Sequence, residues 1–147
     1  MEPATLITEW LGRLLGGRAY KNVREAAVCL ERAQTLHAEN ASEALNEARR
    51  GLHLLGDPRI RRRGAAEGTI LVGLTTIAEE LGPQLGQPGA GRQDLLDTLA
   101  ILGRLDDAMN RFPDLTVREP ASSKELRLKW IPYLEARLGD EGKTRLS

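Results

Sequence analysis

Apolar residues in this chain recur at steps of three and four, which is the period of a helix with one face turned inward. Leu6, Ile7, Trp10, Leu11, Leu14 and Leu15 predict a helix over about residues 4–15, stopped by Gly16-Gly17. Tyr20, Val23, Ala27, Leu30, Ala33 and His37 predict a second over about 20–38, with Asn40 as its stop. Ser42 is placed to cap a third over roughly 43–55, whose inner face is Ala44, Leu45, Ala48, Leu52 and Leu55. Gly56-Asp57-Pro58 closes it, because proline cannot continue the hydrogen-bond ladder. Pro58 to Gly68 is short and basic, with room for one helical turn. Thr69 then caps a fourth helix to about Leu81, with Ile70, Leu74, Ile77 and Leu81 in line and Leu71 and Ala78 beside them. Thr69-Ile70-Leu71-Val72 has strand propensity, but the helical period runs on past it to Glu79-Glu80-Leu81-Gly82.

From Gly82 to Gly91 the pattern breaks, with four glycines and two prolines in ten residues. It resumes over about 93–110 with Leu95, Leu99, Leu102, Leu105 and Met109. Phe112-Pro113 to Pro120 is irregular, and Ser122-Ser123-Lys124-Glu125 forms a capping box ahead of Leu126 and Trp130. Pro132 kinks this last helix or starts a separate one reaching Leu138, and the chain frays from Gly139. The pattern specifies an all-α fold, a helical bundle of five to seven helices. Its lobes are residues 1–82 and 93–147 with a Gly/Pro linker at 83–92, unless the whole forms one compact domain.

At 147 residues the chain can bury roughly 70% of its unfolded surface, so it needs no metal or disulfide to fold. Cys29 is the single cysteine, which excludes an intrachain disulfide and points to a reducing compartment. With His37 and His53 as the only histidines, a four-ligand zinc site is not formed, and no cofactor is expected. The longest uncharged apolar run, Gly68–Ala78, falls short of the ~20 residues of a membrane span. Met1-Glu2-Pro3-Ala4-Thr5 lacks a basic leader, so the expectation is a cytoplasmic protein with no membrane partner.

Catalytic patterns are sparse. Glu79-Glu80, Asp106-Asp107 and Asp140-Glu141 are adjacent acids of the kind that face solvent. Cys29 and His37 stand two helical turns apart, too far to touch directly. Gly86-Gln87-Pro88-Gly89-Ala90-Gly91-Arg92 lacks the lysine and hydroxyl of a phosphate loop. Arg49-Arg50-Gly51-Leu52-His53 puts a histidine near basic residues without a polar partner. A fold that brought His37 or His53 against a carboxylate inside a pocket would point to an enzyme; otherwise none is expected.

Charge carries more. The formal net charge is zero, from 21 basic and 21 acidic residues. Residues 1–63 hold eleven basic and eight acidic groups (+3), residues 64–114 three and eight (−5), and residues 115–147 seven and five (+2). Arg13, Arg18, Lys21 and Arg24 form one cluster, with no acid between Trp10 and Arg24, and Arg59, Arg61, Arg62 and Arg63 form a denser one. Such clusters hold phosphate backbone without reading bases, or dock on an acidic protein surface. Trp10, Tyr20, Phe112, Trp130 and Tyr133 are the only aromatics and read first as core.

Glu9-Trp10-Leu11-Gly12-Arg13-Leu14-Leu15-Gly16-Gly17-Arg18-Ala19-Tyr20 resembles the opening of the small helical subunit of Cascade-type CRISPR effector complexes. Arg127-Leu128-Lys129-Trp130-Ile131-Pro132-Tyr133 is similar to that family's closing basic-Trp-x-x-aromatic segment. The resemblance implies a non-enzymatic subunit of an RNA-guided complex, present in two or more copies. Its basic faces would support guide RNA or target DNA while base pairing supplies specificity. Arg13, Arg18 and Lys129 lie within the matching motifs. The basic lobe of one copy would dock head to tail on the acidic segment of the next, beside other effector subunits. The alternative is a helical protein–protein adaptor, since the helices ending in Leu54-Leu55-Gly56-Asp57-Pro58 resemble a tetratricopeptide-type pair.

Overall fold

The computed structural model describes residues 18–60 and 65–146, which form six helices and no strand. The helix expected over 4–15 lies outside the described residues, as do Arg13, Arg61, Arg62 and Arg63. The chain divides into two compact units, residues 1–90 and 91–147, so the division falls within the Gly/Pro stretch.

The first unit contains α1 (Arg18–Leu36), α2 (Ala41–Leu55) and α3 (Ala65–Gln84). On α1 the buried stripe is Val23, Ala26, Cys29 and Ala33; Ala27 and Leu30, expected inside, are half-buried beside it. On α2 all five expected core residues are buried, joined by Gly51. Asn40 caps α2, its side-chain oxygen accepting from the Glu43 N–H at 3.2 Å, so Ser42 lies inside the first turn instead of capping it. Helix α1 ends earlier, at Leu36, and a turn over residues 37–39 leads to Asn40, whose N–H donates to the Leu36 carbonyl at 2.8 Å.

Small residues set how closely these helices approach. A Cβ built on Gly51 would stand 2.7 Å from Leu74 Cδ1 and 3.1 Å from Cys29 Cβ, and one on Gly73 would stand 2.8 Å from Leu30 Cδ1. Ala26, Ala33, Ala44 and Ala48 are fully buried around the same contact. Helix α3 is buried nearly all round, Glu67 and Glu79 included, as its continuous apolar run requires.

Both ends of α3 differ from the expectation. It begins one turn before Thr69, whose hydroxyl donates back to the Ala65 carbonyl at 2.8 Å. Ala65 and Ala66 are strong helix formers, and Glu67 in the first turn suits the positive end of the helix dipole. At the other end, Gly82 and Pro83 remain helical and the stop is Gly86, at φ +67°. Gly86 N–H donates to the Pro83 carbonyl at 3.1 Å and Gln87 N–H to Gly82 at 2.9 Å, the paired bonds of a left-handed glycine cap. The segment that follows is pinned to the first unit. The Arg49 guanidinium donates to Gln87 Oε1 at 3.0 Å and to the Pro88 carbonyl, and the buried Glu79 carboxylate accepts the Ala90 N–H at 3.1 Å.

The second unit contains α4 (Arg92–Arg111), α5 (Pro113–Arg118) and α6 (Ala121–Leu146). The stretch expected to be irregular thus holds a short helix, opened by Pro113 where a missing N–H costs nothing. Leu95, Thr98 and Leu102 of α4 are buried, as are Arg127, Trp130, Leu134 and Leu138 of α6. Pro132 lies within a single continuous helix and begins no new one. The carbonyl of Leu128, which the proline leaves without a donor, belongs to an exposed residue that water reaches. Helix α6 starts at Ala121, so Ser122 does not cap it; Ser123 instead donates to Glu119 at 3.2 Å.

Arg127 is the charged residue inside this unit. It donates to both carboxylate oxygens of Glu119, from Nε at 2.8 Å and from Nη2 at 2.9 Å, and to Asp106 Oδ1 from Nη1 at 2.7 Å. This guanidinium holds the Glu119 carboxyl below the usual carboxylate range, with help from Ser123.

Two predictions follow from the packing. Gly51→Ala gains helix propensity but crowds Leu74 and Cys29, and is expected to destabilise the fold by about 1 kcal/mol net. Gly103→Ala, where nothing lies within 4 Å of the new methyl, is expected to stabilise by about 0.5–1 kcal/mol. Urea unfolding of both variants checks the pair. Because the folded pKa of Glu119 is depressed, its contribution is complete above the ordinary carboxylate range and fades as pH falls through and below it. Glu119→Gln is therefore expected to melt earlier than wild type at pH 7, with the difference narrowing below about pH 4.

Candidate nucleic-acid interface

Helix α1 turns a second stripe away from the core. Lys21, Arg24, Glu25, Val28 and Arg32 follow the helical period over twelve residues, a length of about 16 Å. The close approach of α2 brings Arg50 alongside. Together with Tyr20 and Cys29 these residues line a cavity of about 420 Å³. Four cations and one carboxylate thus surround one concavity. No carboxylate among the described residues comes within 4 Å of the charged nitrogens of Lys21, Arg24, Arg32 or Arg50. Four like charges held together without partners repel one another, and an anion relieves that repulsion.

The floor is apolar. Val28 is 41% exposed, unusual for a valine on a packed helix, and Cys29 is only 2% exposed. Burial pushes the Cys29 thiol up, and the Glu47 carboxylate that accepts its S–H adds to this, while Arg50 and Arg32 pull weakly the other way. The thiol is therefore neutral and shielded, unsuited to act as a nucleophile. Tyr20 is half-buried in the cavity wall, and its hydroxyl has no hydrogen-bond partner among the described residues. Tyr20 is thus a wall residue, and Phe112 is 59% exposed; of the rings expected in the core, Trp130 is buried, with Tyr133 edge-on at 5.0 Å.

The expected site residues separate accordingly. Lys21 and Arg24 are exposed on α1 and meet in the cavity. Arg18 opens α1. Arg59 is committed elsewhere: it forks onto Asp57, with Nε to Oδ1 at 3.0 Å and Nη2 to Oδ2 at 2.6 Å. This pairing holds the Asp57 carboxyl down at about 2, and Asn22 donates to the same group at 2.9 Å, tying the loop to α1. Lys129 lies on α6 in the second unit, with its ammonium 5.6 Å from the Trp130 ring. Arg127, within the second family-like motif, is buried in its ion pairs and offers nothing to phosphate.

Arg32 and Arg50 were missed from the sequence. Arg32 continues the Lys21–Arg24–Val28 stripe at helical spacing, so periodicity was the available signal. Arg50 joins only through the α1–α2 contact. The acidic segment 64–114 is also less acidic at its surface than its count, because Glu67 and Glu79 are buried and Asp106 pairs with Arg127. Three of its eight acids are thus unavailable to an incoming basic lobe.

His37 does meet a carboxylate, with Nε2 3.5 Å from Glu80 Oε1. Both side chains are more than a third exposed, and neither lines the cavity. The pair links the end of α1 to α3 as an ordinary surface contact. His53 is exposed on α2. Among the described residues no group of three or more His, Cys, Asp or Glu side chains is arranged to hold a metal, and no helix is long and apolar enough to cross a membrane.

No family model, curated protein or solved structure matches this chain.

The shielding of Cys29 is testable. Its reaction with an aromatic disulfide reagent at pH 8 is expected to be at least about tenfold slower in the native protein than in denaturant.

Proposed function

We propose that this protein is a non-catalytic helical subunit that holds nucleic-acid backbone by charge. The supporting observation is the cavity between α1 and α2, where Lys21, Arg24, Arg32 and Arg50 converge without internal ion pairs. Arginine and lysine at this density suit phosphate, which they contact without sequence preference. Three of these cations lie on one straight stripe of α1, as an extended polyanion requires. The narrower form of the proposal, a small subunit of a Cascade-type RNA-guided complex in the cytoplasm, draws its support from the two sequence motifs. In that form, guide RNA or target DNA supplies the phosphates, and neighbouring subunits and further copies of this chain supply the protein contacts. An adaptor for an acidic protein surface is the competing reading, since the same cations fit it.

Salt dependence separates them. Binding of a fluorescent single strand is expected to weaken steeply with salt, with log K falling by about 0.7 per log unit of salt for each phosphate held. Arg24→Ala with Arg50→Ala is expected to flatten that slope by about 1.4. An unchanged slope and affinity in the double variant would count against phosphate contact at this cavity.

A further inference from the structure

Backbone contact alone does not call for a concavity, nor for an exposed valine in the middle of a cationic stripe. The cavity has both. At about 420 Å³ it lies in the range of pockets that enclose a small organic group. Its rim is charged and its floor is Val28 with the Tyr20 ring alongside. The Tyr20 hydroxyl oxygen is itself buried, so the residue offers the cavity its ring and not its polar end. The complementary ligand has an apolar face and a negative charge close to it. An unpaired nucleotide has this form, with its phosphate on the same residue as its base.

We propose that the α1–α2 cavity holds one unstacked nucleotide of a single strand, its base against Val28 and Tyr20 and its phosphate among Arg24, Arg32 and Arg50. The inference rests on the nucleic-acid reading above and adds to it a preference for single strands over duplex. In a duplex the bases are stacked and paired, and extruding one costs energy that a single strand has largely been spared. Stacking on an aromatic wall is tolerant of base identity, so the pocket discriminates strandedness and not sequence.

The test compares three fluorescent ligands on the full chain: an oligothymidylate, the same length of strand with its bases removed, and a duplex of equal length. The base-bearing strand is expected to bind about tenfold tighter than the abasic strand, with the duplex no tighter than the abasic one. Val28→Ser changes an exposed side chain and keeps the charge, so folding is not at issue. It is expected to narrow the tenfold difference to about threefold or less while leaving abasic binding unchanged. Arg24→Ala is expected to weaken both strands in proportion. Equal binding of base-bearing and abasic strands, still dependent on Arg24, would overturn the nucleotide pocket and leave the backbone reading standing. No binding of any of the three would overturn both, and capture of an acidic peptide by the same arginines would then identify the cavity as a protein-docking site.

Discussion

The contact of Gly51 with Leu74 and Cys29 governs the first unit. It lets α1, α2 and α3 approach until only small side chains fit between them. A larger residue at Gly51 would push α2 outward from both neighbours at once. That spacing is also what carries Arg50 to the flank of α1, so the cationic cavity depends on the small residues, Ala26, Ala33, Ala44, Ala48 and Gly51, buried where the helices approach. Core packing and candidate function therefore share one geometric cause. The packing is dense and leaves little freedom for either to change alone.

Whether a cation is spent on the fold or left for a ligand depends on what lies within its reach. Arg49 is spent on the Gln87 side chain and the Pro88 carbonyl, Arg59 on Asp57, and Arg127 on Glu119 and Asp106. The cavity cations on α1 and α2 form no such ion pair among the described residues, although Glu25 lines the same cavity. Burial of Arg127 requires its carboxylates, because a guanidinium removed from water without them would be strongly unfavourable. Lys21 and Arg24 are exposed on α1, whereas Arg127 is buried in its ion pairs and is structural.

Much of the helical layout was legible in the chain. The α2 core matched its periodicity residue for residue, because a helix with one buried face records that face at fixed steps. The ends were harder. Thr69 and Ser42 look like caps, yet Ala65 and Asn40 begin the helices, since several residues in each stretch can satisfy a first turn. Gly82 looks like a stop, but the left-handed position fell at Gly86, where the paired bonds to Pro83 and Gly82 close. Pro132 does not break α6, because the carbonyl it orphans is at an exposed site.

What the sequence determined by itself was helix against strand, the inner face of most helices, and the presence of clustered cations among neutralising acids. These are properties of periodicity and composition, which are local. Only the tertiary structure decided which charges are free. Asp57 removed Arg59, Glu119 and Asp106 removed Arg127, and the α1–α2 approach added Arg50 to the Lys21, Arg24 and Arg32 of α1. Ion pairing acts over a few ångströms of space, while the positions it joins, such as Asp106 and Arg127 or His37 and Glu80, lie far apart along the chain.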